Sequence, residues 1–314
     1  MLPHIDDFLM NLQANHYSAN TVHNYERYLE NFDDFLNESS IPFDKISKQT
    51  VTSYKAYLAS RGRNTAKPGD HIDKQLAPCT INYKLIALRV YLRYLIGIDY
   101  PCPLVPEAVK NLKAVPKQPQ IPELRDLIRL IGAPAPGANI IELRDKAILE
   151  TLFNTGLRVS ELVSLNRDHL NLERKRIGLE GKGNKIRILF LSSSAAQWIG
   201  RYLQSRRDHF EPLFIRHSGK VDTRKSGEGM RLTVRSIQRI VIRYAKRCGL
   251  PIKATPHTLR HCFALYLAEE GANPAAIQIL LGHESLDTTT RYVHASDKYA
   301  EETHRKYHPL AKTD

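Results

Sequence analysis

From Ser18 onward the apolar residues Val22, Tyr25, Leu29, Phe32 and Leu36 recur with the period of one helix face, and Ser18 stands where a side-chain oxygen can cap the first turn. A second such pattern opens at Thr80, with Ile81, Leu85, Leu88, Leu92 and Leu95 on the stripe. On that stripe's far side Lys84, Arg89 and Arg93 are free to face water or phosphate. The stretch from Ile46 to Ser60 predicts a shorter helix, and Arg61 to Asp73 a polar loop bearing glycine and proline. Residues 1–113 are therefore expected to form a small helical domain.

The text LKAVPKQPQIP, Leu112 to Pro122, holds three prolines and predicts an extended linker. We place the linker at 114–122 and a second domain at 123–314. Within it, Glu142 to Phe153 has a helical pattern, and Gly156 suits a left-handed cap from which a new helix starts near Arg158. The period then shortens. RKRIGLE and IRILFL flank the turn GKGNK, which predicts a β-hairpin between Arg174 and Leu191. After Ser192 the pattern is again helical, apart from a glycine- and charge-rich loop between Arg216 and Arg231. The fold class that results is mainly α with a small antiparallel β-sheet.

Charge narrows the range of partners. The 314-residue chain has a formal net charge of +13. Up to Lys113 there are 13 basic and 12 acidic residues, against 33 and 21 beyond, so the excess belongs to the second domain. Such a surface suits a polyanion, although ribosomal, membrane-surface and heparin-type binders share this balance. The four cysteines form no C-x-x-C pair or metal-ligand spacing, and no H-E-x-x-H pair is present among the histidines. Neither a zinc site nor a disulfide framework is expected. No apolar run reaches membrane-spanning length, and the first residues are acidic where a signal peptide is basic; a cytoplasmic location is expected.

Four short segments carry candidate chemistry. In TPHTLRH, Thr255 to His261, a capping threonine and a proline at the first helical position put His257 and Arg260 on one face of the opening turns. Cations there oppose the helix macrodipole unless an anion binds. A second helix, opened by Asn273 and Pro274, stops at Gly282 and delivers His283 past its end; Tyr292 follows nine residues later. By periodicity alone Tyr292 is one of fifteen tyrosines, most of which serve packing. In TGLRVSEL, Thr155 to Leu162, Arg158 and Glu161 are spaced to pair. Lys182 sits at the hairpin turn.

Taken together and in this order, TGLRVSEL, GKG, HTLRH and LGH with a tyrosine nine positions on resemble the tyrosine recombinase family over Asn139 to His294. YSANTVHNYERYLENFDDFL and TINYKLIALRVYLRYL look like that family's helical, SAM-like core-binding domain, and the terminal HPLA is similar to the end of the Xer proteins. The resemblance implies a helical core-binding domain followed by a mixed α+β catalytic domain, and site-specific DNA recombination through a 3′-phosphotyrosyl intermediate and a Holliday junction, in dimer resolution or in integration and excision of a mobile element. It assigns Arg158, Lys182, His257, Arg260, His283 and Tyr292 to catalysis, with Glu161 in support. It implies no metal or other cofactor. The implied partners are a double-stranded DNA site, three further protomers of this chain or of a related recombinase, and an activator or directionality protein; the location would be the nucleoid. A type IB topoisomerase and a DNA-binding protein without catalysis are the alternatives.

Overall fold

The computed structural model describes residues 1–60, 75–113, 121–134, 137, 139–180, 186–252 and 254–282. The chain divides into two compact units, Met1–Gln118 and Pro119–Asp314.

In the first unit, helices α1 (Ile5–Ala14), α2 (Ala19–Glu38), α3 (Lys48–Ser60) and α4 (Pro78–Gly97) surround one core. Ser18 caps α2, its hydroxyl accepting from the Thr21 amide, and Val22, Leu29, Phe32 and Leu36 of the stripe are buried. Tyr25 is only partly buried, and Phe35 takes a core position as well. Helix α4 begins two residues earlier than Thr80 suggests, because Pro78 fits the first helical position, where an amide hydrogen is not needed. It packs against α2, α3 and the 3-10 turn Pro106–Ala108, which buries Ala87 and Tyr91 in addition to the expected stripe. Helix α1 carries no side-chain cap, and its preceding residue His4 is in the left-handed region at φ 52°; the sequence pattern gave no warning of it. Arg61–Asp73 lies outside the described residues.

The second unit is built on α6 (Ile140–Thr155), against which α5 (Leu124–Gly132), α8 (Ser193–Ser205), α9 (Val234–Arg247) and α10 (Pro256–Glu269) all pack. Between α6 and α8 lie the short α7 (Val159–Ser164) and a three-stranded antiparallel sheet, β1 (Leu170–Asn171), β2 (Arg176–Glu180) and β3 (Ile186–Phe190), in that order. The hairpin register pairs Gly178 with Ile188 and Glu180 with Ile186. Strand β1, two residues long, is too short for any alternation to reveal. The loop between Arg216 and Arg231 ends in a 3-10 segment, Arg224–Met230. Helix α11 (Pro274–Leu281) closes a small cluster with Ala264, Ala268 and Ile277 against α10. The mainly α fold with a small antiparallel sheet is the one that the pattern predicts. Most of the 114–122 linker lies outside the described residues.

Candidate active site

Three chain reversals bring the candidate residues together, and each is written in local chemistry. Helix α6 ends at Gly156, at φ 62°, where glycine escapes the steric penalty of the left-handed region. The chain thus turns and starts α7 with Arg158 as its N-cap residue. Helix α10 is opened by Thr255, whose hydroxyl accepts from the Thr258 amide, with Pro256 in the first turn. Helix α11 is capped by Asn273 and ends at Gly282, at φ 63°.

Arg158 and Glu161 form one unit. The Glu161 carboxylate accepts from the Arg158 backbone amide at 2.8 Å and from its guanidinium at 2.9 Å. Another nitrogen of Arg158 donates to the Gly282 carbonyl at 3.0 Å, tying the start of α7 to the end of α11. Arg260 lies beside this pair, its Nη1 4.0 Å from the Glu161 carboxylate. Burial alone would raise the Glu161 pKa; the hydrogen bonds from Arg158 and the charges of Arg187 and Arg158 outweigh it and hold the group below the ordinary glutamate value.

Arg260 resolves the electrostatic conflict that its sequence position poses. Although it stands in the first two turns of α10, it donates to the Gly156 carbonyl and to the Leu281 carbonyl, both at 2.7 Å. Those carbonyls belong to the C-terminal ends of α6 and α11, where the macrodipole is negative and a cation is favoured. The residue is buried at 6% exposure. His257 remains on the surface, its Nε2 2.7 Å from that of His261 one turn on. The two facing nitrogens are at hydrogen-bond distance. Partial desolvation of the His257 ring, then the charge of Arg260, lowers its pKa below the ordinary histidine value.

Arg158, Glu161 and Arg260 are thus brought together, with His257 near Arg260 on α10. Lys182, His283 and Tyr292 lie outside the described residues. Two neighbours escaped the sequence reading. Arg187 on β3 donates to Glu161 at 3.0 Å, and His261 meets His257. The strand's alternation held the clue to the first, since Arg187 falls on the same side as buried Leu189.

The candidate phosphate contacts in the first unit differ from one another. Lys84 does not project into solvent as the helical pattern suggests: it is buried, bonded to Asn31 and set over the Tyr28 ring at 5.3 Å. Burial and the nearby Arg27 push its pKa down to about 8. Arg89 is turned toward the Val109 carbonyl and the Asn111 side chain. Arg93 alone of the three stays exposed, 4.0 Å from Glu107. Among the described residues no helix is long and apolar enough to cross a membrane.

Comparison with known proteins places this arrangement among relatives. The model of the phage integrase family matches residues 123–299, and that of the phage integrase SAM-like domain matches residues 1–97. Tyrosine recombinase XerC of Thermodesulfovibrio yellowstonii is 31% identical over 99% of this chain and 98% of its own. Tyrosine recombinase XerD of Bifidobacterium longum is 33% identical over 93% and 92%. Among solved structures, the XerH site-specific recombinase, captured with a palindromic difH substrate after cleavage, superposes with a TM-score of 0.69 at 19% identity, covering 91% of this chain and 79% of that one.

Proposed function

Since the chain belongs to the phage integrase family of tyrosine recombinases, we propose that it is a site-specific recombinase that cuts and rejoins duplex DNA through Tyr292. The observation that carries this reading is the convergence of Arg158 and Arg260, from distant parts of the second unit's sequence, on one carboxylate. Relatives matching nearly the whole chain are recombinases, which favours strand exchange between sites over relaxation by a topoisomerase.

The residues divide the work as follows. Arg158 and Arg260 donate charge-assisted hydrogen bonds to the non-bridging oxygens of the scissile phosphate, where negative charge builds up in the transition state. His283 adds a donor. The Tyr292 phenol, whose free pKa is about 10, loses its proton as its oxygen attacks phosphorus. His257 assists the proton transfer from the phenol. A phosphorus–oxygen bond to tyrosine forms, the bond to the 5′ oxygen breaks, and Lys182 protonates the departing alcohol. The phosphodiester becomes a 3′-phosphotyrosyl link of comparable energy, so a 5′ hydroxyl of another strand reverses the step without ATP. Metal is not called for, since the guanidinium groups supply the positive charge.

The partner in this reading is a double-stranded recombination site, held by four protomers on two sites. The unit 1–113, the linker 114–122 and the catalytic unit 123–314 would close around the duplex. Residues after Tyr292 would reach a neighbouring protomer and gate its tyrosine. A nicked suicide duplex, carrying the sequence recovered from DNA trapped covalently on the protein in its own host, tests the chemistry. Wild type accumulates a covalent adduct and Tyr292→Phe does not. An adduct with the phenylalanine variant refutes the assignment of the nucleophile, and none with wild type refutes the reaction.

A further inference from the structure

Strand β3 carries apolar side chains on both faces and a charge on the inner one. Its outward residues Ile188 and Phe190 are 47% and 55% exposed, while Arg187 shares the inward side with Leu189, which is buried. A strand lying on a core ordinarily turns its apolar side chains inward and its charges outward. Departures from the local rule of this kind mark places where a side chain is retained for something other than packing.

The guanidinium of this partly buried side chain, 17% exposed, has a defined seat. One of its nitrogens donates to Glu161 at 3.0 Å, on the same carboxylate oxygen that accepts from the Arg158 amide. Its Nη1 lies against Gly282, so close that a Cβ added to that glycine would stand 1.6 Å away. Gly282 is favoured by its left-handed backbone, and a side chain there would also push the tip of Arg187 from its seat. Among the described residues the Nε of Arg187 is buried without a hydrogen-bond partner. A group held at that cost gains its return elsewhere, and the contacts point to Glu161.

We infer that Arg187 is a positioning residue for recombination: by holding Glu161 from the sheet side, it keeps Arg158 aimed at the scissile phosphate with its positive charge unspent. A carboxylate paired with Arg158 alone would cancel most of that arginine's charge and repel an incoming phosphate. Shared among Arg158, Arg187 and the nearby Arg260, the single carboxylate leaves the cluster strongly cationic while still fixing the direction of Arg158. The inference rests on the recombinase reading above and deepens it.

The test uses the full-length protein on the same trapped-site nicked duplex, with single-turnover adduct formation as the readout. Arg187→Gln slows cleavage by about 10- to 100-fold, the usual scale for a group that orients a working residue instead of touching the reacting atoms, and DNA affinity stays near that of wild type. Arg187→Lys recovers part of the rate. Added to Arg158→Ala, Arg187→Gln causes little further loss, within about threefold, because the residue it serves is already gone. On a duplex with a neutral methylphosphonate at the scissile position, which demands less cationic stabilisation, the Arg187→Gln defect shrinks. Equal defects in the wild-type and Arg158→Ala backgrounds overturn the inference, since Arg187 would then act independently of Arg158. A wild-type rate for Arg187→Gln overturns it as well, as does loss of the thermal unfolding transition in both Arg187 variants. Each of these leaves the recombinase reading standing; only the absence of any adduct with wild type removes both.

Discussion

Replacing Arg260 by alanine should unfold the second unit far more readily than replacing Arg158, although both are assigned to the same phosphate. Arg260 donates one charged hydrogen bond to the last turn of α6 at Gly156 and another to the end of α11 at Leu281. Bonds from a charged donor contribute roughly 1.5–3 kcal/mol each, and their loss inside the protein leaves the acceptors dry and unpaired. The variant should therefore lose about 3–5 kcal/mol, a large part of the roughly 5–15 kcal/mol that holds a domain folded. For a unit of this size that corresponds to a fall in Tm of roughly 6–20 °C. Arg158 is 44% exposed and its partners are reachable by water, so Arg158→Ala should cost no more than about 1 kcal/mol. The chain's single tryptophan, Trp198, lies in α8 against the core of the second unit, so its fluorescence follows that unit during heating. Should the two alanine variants melt within about 2 °C of each other, the account of Arg260 as the tie between two helix ends is wrong.

Gly156→Ala places a methyl group 2.4 Å from the Phe263 ring at a backbone φ of +62°. Left-handed strain and overpacking together predict a loss of about 2–4 kcal/mol, and an unchanged urea midpoint, followed by Trp198 fluorescence, would contradict it. The His217 Nε2 lies 3.1 Å from the Tyr202 hydroxyl, which accepts from the Ile215 amide. Burial first, then Arg144 and Arg206, push its pKa down to about 4, with Asp208 opposing. A folded-state pKa below the free value means that stability is whole above pH 6.5 and declines as pH falls toward 4. Discounted for partial exposure, the loss is roughly 1–2 kcal/mol. His217→Gln should flatten that decline in urea titrations at pH 7 and pH 5; an undiminished slope would assign the acid sensitivity elsewhere.

Helix boundaries were readable where a single residue type solves a backbone problem. Ser18, Thr255 with Pro256, and Asn273 with Pro274 mark starts, and Gly156 and Gly282 mark ends, because caps and left-handed turns admit few side chains. Helix α1 lacks such a signal and was missed. Lys84 shows the limit of a one-stripe reading: α4 is packed on several sides, so a position that looks outward on an isolated helix meets Asn31 and Tyr28 instead. In the site, the Arg158–Glu161 pair was legible because its partners are one turn apart. The contribution of Arg187 was not, because its contact with Glu161 arises only when β3 folds back across α7.

The double anchorage of Arg260 also bears on how silent copies of this protein are to be told from working ones. A descendant that abandoned DNA cleavage would still need that arginine to hold α6 and α11 together, so its survival in a sequence says little about catalysis. Arg158, half in solvent, also ties α7 to α11, but through one solvent-exposed bond to a carbonyl, so its structural duty protects it far less. Its replacement, more than that of Arg260, would mark a lineage in which the reaction has been given up.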